Sequence, residues 1–200
     1  MLLKRLIDII IASIALLSLS PFLLLIGLAI RIDSRGPIFY VDDRVGQYGH
    51  SFRIYKFRTM VVGARYQGLG LEVAQNDTRI TLVGHFLRQW SLDELPQLFN
   101  VLIGDMSLIG PRPTVQSQVD FYTSEQKRRL IVKPGISGWA QVNGRNTIPW
   151  HKRIELDIWY IDNWSIWLDF VIFLRTFNVV LKADDVYGPD GLVKDFKVTD

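Results

Sequence analysis

The distribution of apolar and polar residues is dominated by a long apolar segment near the N-terminus. Residues 9–30 carry no charged side chain, and a straight helix of this length measures roughly 33 Å, enough to span a bilayer. Ser20 and Pro21 lie near its middle, where proline removes a backbone donor and kinks a helix. We expect the Ser20 hydroxyl to bond a carbonyl group that this break leaves free. The pattern predicts a membrane helix broken at Ser20-Pro21.

Basic residues flank this segment on both sides, with Lys4 and Arg5 before it and Arg31 and Arg35 after it. Because basic flanks favour the cytoplasmic face, they set no crossing direction here. Two topologies fit these residues equally well. The helix either enters one leaflet and returns to the cytoplasmic face at its Ser-Pro pair, or spans the membrane as a signal anchor with a proline kink. A cleaved signal peptide does not fit, because the apolar run is too long and lacks a cleavage site.

A second apolar segment, residues 164–181, is too short to span and is interrupted by Asp169 and Arg175. Ser165 is a suitable N-cap. Aromatic side chains recur at helical spacing, namely Trp164, Trp167, Phe170, Phe173 and Phe177. An amphipathic helix in the membrane interface and a buried core helix both fit this pattern. We favour the interface, since a re-entrant anchor needs lateral support at the headgroup level.

The region between these segments predicts an α+β domain. Two strands, residues 37–41 and 52–60, are joined through the glycine-containing residues 46–49. Lys56 and Arg58 lie near the end of the second strand, on a face that points either to a functional site or to solvent. Helices are predicted over residues 80–89, 119–131 and 148–161. Loops are predicted over residues 63–78 and 138–146.

The chain therefore divides into three parts. A re-entrant membrane helix (residues 1–32) precedes a catalytic domain on the membrane surface (residues 33–185), which contains a small β-hairpin and several amphipathic helices. A polar tail follows (residues 186–200), and we expect it to be poorly ordered.

Composition narrows the function classes. The chain has 200 residues and a formal net charge of +3. It contains no cysteine, and this absence excludes a disulfide framework and a thiolate zinc site. His50, His85 and His151 show no metal-binding spacing. The sequence contains neither a P-loop nor a Rossmann glycine motif. Basic and acidic residues are interleaved, so no nucleic-acid partner is predicted.

Residues 90–113 carry the strongest candidate chemistry. Two adjacent carboxylates, Asp93 and Glu94, precede a loop rich in glycine and proline that contains Asp105 and Arg112. A carboxylate can attack phosphorus or bind a divalent cation, and arginine matches phosphate oxygens with two parallel hydrogen bonds. This combination suits chemistry on phosphate esters.

A purely structural interpretation of the acid pair competes with this one. Ser91 and Glu94 have the spacing of a capping box at a helix N-terminus, and acidic residues are common in a first helical turn. Pro96 fits such a helix poorly, because its missing N–H would fall just after the first turn. An irregular local geometry would leave room for a working pair of acids.

Blocks of sequence, in order along nearly the whole chain, resemble the monotopic bacterial sugar transferases, or polyprenyl-phosphate phosphoglycosyl transferases. The blocks are R-I-Y-K-F-R-T-M (53–60), S-L-D-E-L-P-Q (91–97), G-D-M-S (104–107), G-P-R-P (110–113), K-P-G-I-S-G (133–138) and Q-V-N-G-R (141–145). The chain resembles the minimal catalytic unit of the family, without the multi-span N-terminal region of larger members. It departs from the usual family pattern at Asp42-Asp43-Arg44 and at His85.

The resemblance implies a reaction and its participants. Family members transfer a sugar-1-phosphate from a UDP-sugar to undecaprenyl phosphate and release UMP, in the first membrane step of glycan assembly. This implies a location at the cytoplasmic face of the bacterial inner membrane, with membrane lipid as a further partner. It also favours the re-entrant form of the helix, because the family has a Ser-Pro break where Ser20 and Pro21 stand.

The resemblance also implies roles for individual residues. Asp93 becomes the nucleophile that forms a covalent phosphosugar intermediate, with Glu94 beside it and Mg²⁺, held by these two acids, on the diphosphate. Positions that handle phosphate match Arg88, Arg112 and Arg145, with Lys56 and Arg58 as further candidates.

Two rival functions remain open at the level of sequence. A membrane-anchored phosphohydrolase could use the same aspartate and Mg²⁺, and a non-catalytic scaffold would keep the apolar segments without needing the acid pair. The transferred sugar, the glycan pathway and the oligomeric state, including a homodimer, are not specified by these residues.

Overall fold

The N-terminal apolar segment forms a single long helix, α1 (Leu2–Asp33), with Pro21 inside it. The structure is a computed structural model and describes residues 2–70, 72–182, 186–194 and 196. Pro21 cannot donate to the carbonyl of Leu17, and the Ser20 hydroxyl donates to that oxygen at 2.8 Å instead. The predicted hydrogen bond of Ser20 is therefore present, and the helix continues through the Ser-Pro pair as one element. Within the described ranges, α1 is the one helix whose length and apolar character suffice to cross a membrane.

Both halves of α1 contact the same α+β domain. In the first half Ala12 is fully buried in the core, and the Asp8 carboxylate accepts a hydrogen bond from the Ser107 hydroxyl at 2.8 Å. In the second half Ile30 is buried beside Phe57. The outer face of the helix keeps large apolar side chains exposed, among them Ile14, Leu17, Leu24, Leu25 and Leu28.

The predicted hairpin is present. Strands β1 (Phe39–Val45) and β2 (Ser51–Phe57) pair antiparallel along their whole length, from Phe39 opposite Phe57 to Val45 opposite Ser51. Strand β1 begins two residues after the predicted start at residue 37 and ends four residues after the predicted end at residue 41, because this pairing continues up to the turn. Strand β2 ends at Phe57, three residues before the predicted end.

Shorter elements complete the domain. The further α-helices are α2 (Leu82–Gln89), α3 (Gln97–Ile103), α4 (Gln116–Val119), α5 (Trp139–Val142), α6 (Trp150–Asp162) and α7 (Ile166–Lys182). Two short strand pairs are β3 (Val73–Ala74) with β6 (Leu192–Val193), antiparallel, and β4 (Ser107–Ile109) with β5 (Gly135–Ser137), parallel. Helices α2, α6 and α7 confirm predicted helices, and the α+β class is confirmed.

One predicted helix, over residues 119–131, is wrong. Helix α4 ends at Val119, and a 3₁₀ helix follows only at Gln126–Leu130. Between them the Thr123 hydroxyl accepts from the Gln126 N–H, while the Gln126 side chain accepts from the Thr123 N–H. Such local side-chain bonds compete with helical hydrogen bonds.

The segments predicted as loops and tail contain more structure than expected. The polar loop over residues 138–146 includes helix α5, and residues 63–78 include β3. In the tail, β6 pairs with β3, and the Phe196 ring packs edge-on against Tyr122 and Trp150. The expectation of poor order is thus wrong for the described part of residues 186–200, while residues 183–185, 195 and 197–200 lie outside it.

Helix α7 combines both environments that its sequence allowed. Ile172 is fully buried in a cluster with Ile109 and Tyr160. On the opposite face Trp167 is 71% exposed and Leu181 is 70% exposed. A core-facing side and an uncovered apolar side therefore coexist on one helix.

Candidate active site

The acid pair lies on an irregular turn between α2 and α3. Ser91 has a left-handed backbone conformation with φ 54°, and Leu92–Glu94 form a short 3₁₀ helix. The Ser91 side chain makes no capping bond, and Pro96 instead takes the N-terminal position of α3. The capping-box interpretation is therefore wrong, and the tight turn presents two consecutive carboxylates from one short segment.

Glu94 is held between two cations. Its Oε1 atom accepts from Lys56 Nζ at 2.8 Å and from Arg112 Nη2 at 2.7 Å, and the residue is only 8% exposed. Burial alone would raise its pKa, but Arg112 and Lys56 hold the pKa of Glu94 well below its usual value. Glu94 is therefore an ionised carboxylate that binds both cations.

Asp93 has a different electrostatic environment. Burial, and then the negative charge of Glu94, raise the pKa of Asp93, while Lys56, Arg88 and Arg112 act in the opposite direction. A raised pKa makes the Asp93 carboxylate a stronger base than a solvated aspartate. The two adjacent acids are thus differentiated, with Glu94 neutralised by direct contacts and Asp93 more basic.

The predicted cations converge on this turn from separate elements. Lys56 comes from β2 and contacts Glu94 directly. Arg88, in the last turn of α2, donates from Nε to the Thr59 hydroxyl at 2.8 Å. Arg145 donates to the Ser91 hydroxyl at 3.0 Å. Residues distant in sequence thereby form one positively charged rim around the acid pair.

Two residues singled out in the sequence lie elsewhere. The Arg58 guanidinium donates to the carbonyls of Ser34 and Arg35 at 2.8 and 2.6 Å, so it fastens the chain that leaves α1. The alternation that would place it beside Lys56 ends with β2 at Phe57. Asp105 accepts a long bond of 3.4 Å from Asn100, beyond the C-terminal end of α3. Neither side chain joins the acid pair.

A buried ion pair supports Arg112 from behind. Arg129 Nη2 lies 2.5 Å from Asp157 Oδ2 and donates to the Arg112 carbonyl at 3.0 Å. Both partners of the pair are almost fully buried. These two residues were not predicted as part of the site, because nothing in their local pattern distinguishes them from charged residues on a solvent-exposed helix face.

Tyr187 is a third residue near the site that was not predicted from the sequence. The carbonyl of its neighbour Val186 accepts from the Asn146 side chain at 2.7 Å, next to Arg145. Burial raises the pKa of the Tyr187 phenol, with contributions from Asp77 and Asp93 and an opposing one from Arg88. Residues 186 and 187 thus lie in the vicinity of the acid pair, through contacts that only the folded chain brings together.

A cavity of about 260 Å³ opens beside the acid pair. Glu94, Arg112 and Arg145 contribute charged groups to its lining, and most of the remaining wall is apolar. The apolar lining comes mainly from α3, β4, β5 and α7, including Leu98, Leu108, Ile136, Phe173 and Val180. A ligand with an anionic part and a part with apolar faces would fit such a surface.

The sequence matches the family described as bacterial sugar transferase over residues 1–183. It is 44% identical over 186 residues to the "Uncharacterized sugar transferase EpsL" of Bacillus subtilis, covering 93% of this chain and 91% of that protein. It is 41% identical to the "Undecaprenyl-phosphate galactose phosphotransferase" of Salmonella typhimurium, covering 92% of this chain and 42% of the relative.

A third relative is the "UDP-glucose:undecaprenyl-phosphate glucose-1-phosphate transferase" of Escherichia coli. The identity is 44% over 191 residues, covering 88% of this chain and 40% of the relative. The chain therefore spans most of the short Bacillus relative, but about two fifths of the longer ones.

Proposed function

The chain belongs to the bacterial sugar transferase family, and we propose that it transfers a sugar-1-phosphate from a UDP-sugar to undecaprenyl phosphate at a membrane surface. The observation that carries this proposal is the acid pair, in which Lys56 and Arg112 neutralise Glu94 and leave the more basic Asp93 beside it. A scaffold would have no use for this arrangement. The family relationship makes the chain an enzyme of the transferase class.

In the first half-reaction, a carboxylate oxygen of Asp93 attacks the β-phosphorus of the UDP-sugar. An oxygen–phosphorus bond to Asp93 forms as the bond between that phosphorus and the bridging oxygen breaks, and the bridging oxygen leaves with UMP. The raised basicity of Asp93 favours this attack. Arg88, Arg112 and Arg145 are suited to binding the diphosphate oxygens as charge moves onto the leaving UMP.

In the second half-reaction, a phosphate oxygen of undecaprenyl phosphate attacks the same phosphorus. The bond to Asp93 breaks, the carboxylate is regenerated, and the sugar is left on undecaprenyl diphosphate. Splitting the transfer in this way means that the soluble and the lipid substrate need not occupy the site together. Glu94 remains ionised throughout, because its two cationic partners hold its pKa low.

The reaction is tested by supplying individual UDP-sugars to the purified protein in detergent, with and without undecaprenyl phosphate. The proposal predicts UMP and a lipid-linked sugar diphosphate as products. A phosphohydrolase would release free phosphate or sugar phosphate and would not need the lipid. The UDP-sugar that gives the highest kcat/KM identifies the sugar, and the product identifies the reaction class.

The acid pair also fits a magnesium ion that arrives with the substrate. The described residues contain no cluster of three or more His, Cys, Asp or Glu side chains suited to a metal. Mg²⁺ commonly binds through one or two carboxylates together with substrate phosphates. Asp93 and the Oε2 atom of Glu94, whose contact to Arg112 Nη1 is 3.4 Å long, would hold it. When bound, Mg²⁺ would neutralise charge on the diphosphate.

Removal of divalent cations is expected to abolish turnover, because Asp93 is anionic and the diphosphate repels it. UMP release should fall to background in excess EDTA and return on addition of Mg²⁺. The control is EDTA already saturated with Mg²⁺, which should leave the rate unchanged. Full activity in metal-free EDTA would remove Mg²⁺ from the proposal.

We further propose that α1 is a re-entrant helix whose two ends lie on the cytoplasmic face. This is supported by contacts of both halves of α1 with one domain, including a 2.6 Å ion pair from Lys4 to Asp169 near one end and a bond from the Val83 N–H to Asp33 at the other. A spanning helix would carry these two ends to opposite sides. The exposed apolar side chains between them would then lie in the lipid.

Cysteine labelling tests this topology, because the chain has no native cysteine. In membrane vesicles of known orientation, Leu2→Cys and Arg35→Cys should react with an impermeant maleimide from the same, cytoplasmic side. Leu17→Cys, on the exposed outer face of α1, is the control and should be protected from both sides. Labelling of Leu2→Cys and Arg35→Cys from opposite sides would indicate a spanning helix.

Arg112→Lys is expected to lower kcat/KM by about tenfold to a hundredfold although the charge is kept. Pro111 and Pro113 restrict the backbone around Arg112, and its guanidinium uses one nitrogen for a short bond to Glu94. Lysine offers no second, planar donor for phosphate. Steady-state kinetics with UDP-sugar measures the effect, with the exposed Arg128→Lys as control. Wild-type kinetics for Arg112→Lys would indicate a surface role.

A further inference from the structure

Gln141 is a buried side chain whose hydrogen-bonding capacity is unused. It lies on α5, is 9% exposed, and lines the cavity beside the acid pair. Neither its Nε2 nor its Oε1 has a hydrogen-bond partner within the described part of the chain. An unpaired buried amide is costly, so a donor and an acceptor on a side chain that lines a cavity indicate a ligand that presents the complementary pair when the amide turns towards it.

The backbone that carries Gln141 is held in place by its surroundings. A Cβ atom on Gly138 would approach the Gly110 carbonyl oxygen to 2.1 Å and Gln141 Oε1 to 2.8 Å, so glycine is needed there for the close approach to Gly110, and the Gln141 amide lies next to that contact. The neighbouring Trp139 stacks on Trp159 at 4.9 Å. The Arg145 N–H donates to the Ala140 carbonyl at 3.1 Å, which ties the turn carrying Arg145 to α5. Gln141 and Arg145 are therefore held in one small unit.

The cavity restricts which ligand can use Gln141. Its walls are largely apolar, while Glu94, Arg112 and Arg145 contribute its charged groups. A sugar ring carries hydroxyl groups around its edge, and apolar walls would leave most of them unpaired. A prenyl chain has no group that could pair with the amide. A flat ring with two apolar faces and one polar edge, linked to an anion, fits the apolar walls, the unpaired Gln141 amide and the two arginines.

We propose that this cavity binds the uracil ring of the UDP-sugar, with the Gln141 carboxamide paired to the imide edge of the base. The amide Nε2 donates to uracil O4, and Oε1 accepts from uracil N3–H. The ribose links the base to the diphosphate, which then lies towards Arg112 and Arg145. This inference rests on the proposed function, and it assigns the recognition of the nucleotide to a residue outside the acid pair.

The proposed contact between Gln141 and uracil N3–H is tested with two ligands, one of which lacks this N–H, and with two proteins, one of which lacks the amide. Binding of UDP and of N3-methyl-UDP is measured by calorimetry for the wild type and for Gln141→Leu, in the same detergent. Methylation removes the N3–H, so the wild type should bind N3-methyl-UDP about tenfold or more weakly than UDP. Gln141→Leu should bind UDP about tenfold or more weakly than the wild type, and should no longer distinguish the two ligands.

The thermal stability of the free protein separates ligand binding from a structural role. Because the amide is unpaired without a ligand, Gln141→Leu should have a Tm equal to or above that of the wild type. If Gln141→Leu does not fold, Gln141→Met, which has a similar length and no amide, replaces it. A variant that folds and still discriminates against N3-methyl-UDP as strongly as the wild type would overturn the inference.

Kinetics distinguish the other occupants of the cavity. An increase in KM for undecaprenyl phosphate alone in Gln141→Leu would mean that the cavity holds the lipid, and a changed preference among UDP-sugars with unchanged UDP affinity would mean that it holds the sugar. Either result overturns the uracil assignment. If the wild type releases no UMP from any UDP-sugar with undecaprenyl phosphate, the proposed function itself fails, which is a separate outcome.

Discussion

Asp93→Asn is expected to lower the rate of sugar-phosphate transfer by at least about a thousandfold, because an amide cannot attack phosphorus as a carboxylate does. The substitution changes little in size and removes a partly buried charge, whose burial raises the pKa of Asp93. Folding and membrane association should therefore persist while turnover is lost. The rate is measured as UMP release in detergent, and association by flotation with vesicles.

A matched control for this prediction comes from the same stretch of sequence. Asp105→Asn makes the same chemical change at an acid that lies beyond α3 and away from the pair. It should retain turnover within about threefold of the wild type. Substantial UMP release by Asp93→Asn would end the assignment of this residue as the nucleophile, as would an equal loss in both variants.

Glu94→Gln is expected to lower kcat by at least about a hundredfold. The carboxylate now accepts from Lys56 at 2.8 Å and from Arg112 at 2.7 Å, and a neutral amide leaves these two cations close together without their shared anion. Burial already lowers the pKa of Lys56, and Glu94 counteracts that effect. Without Glu94 the lysine more readily loses its proton, and Arg112 loses the contact that orients it.

The exposed Glu125→Gln serves as the control for Glu94→Gln. Glu125 pairs with Arg128 on the surface, where such an interaction contributes little, so its activity should match the wild type. Single-turnover UMP release reports the first half-reaction directly. Wild-type single-turnover rates for Glu94→Gln would show that the ion pairs at Glu94 serve stability and not chemistry.

The elements predicted correctly from sequence are those whose pattern is local. Helices α2, α6 and α7 have apolar residues at helical spacing, and the hairpin has alternating strands around a turn with glycines. The Ser20 hydroxyl bond could be foreseen because proline frees a carbonyl at a known offset. The acid pair and Arg112 could be predicted as site residues because two adjacent carboxylates followed by a proline-flanked arginine suit phosphate chemistry better than a purely structural role.

The remaining features depend on contacts between distant residues. Arg58 was expected beside Lys56, but β2 ends at Phe57 and the next side chain turns to the carbonyls after α1. The pairing of β6 with β3 joins segments more than a hundred residues apart. Each strand is only two residues long and lies in a polar stretch of sequence, so neither has a recognisable strand pattern. Gln141 belongs to a stretch predicted as a polar loop, and its burial follows only from the packing of α5 in the domain.

A sugar phosphate carried covalently by Asp93 can be detected by mass spectrometry of the acid-quenched protein after incubation with UDP-sugar and Mg²⁺ in the absence of lipid acceptor. We expect a single sugar-phosphate adduct on the peptide that contains Asp93, formed together with an equal amount of UMP and absent from Asp93→Asn. Addition of undecaprenyl phosphate before the quench should discharge it. No adduct on any peptide, with UMP released only once the lipid is present, would rule out a covalent intermediate on Asp93.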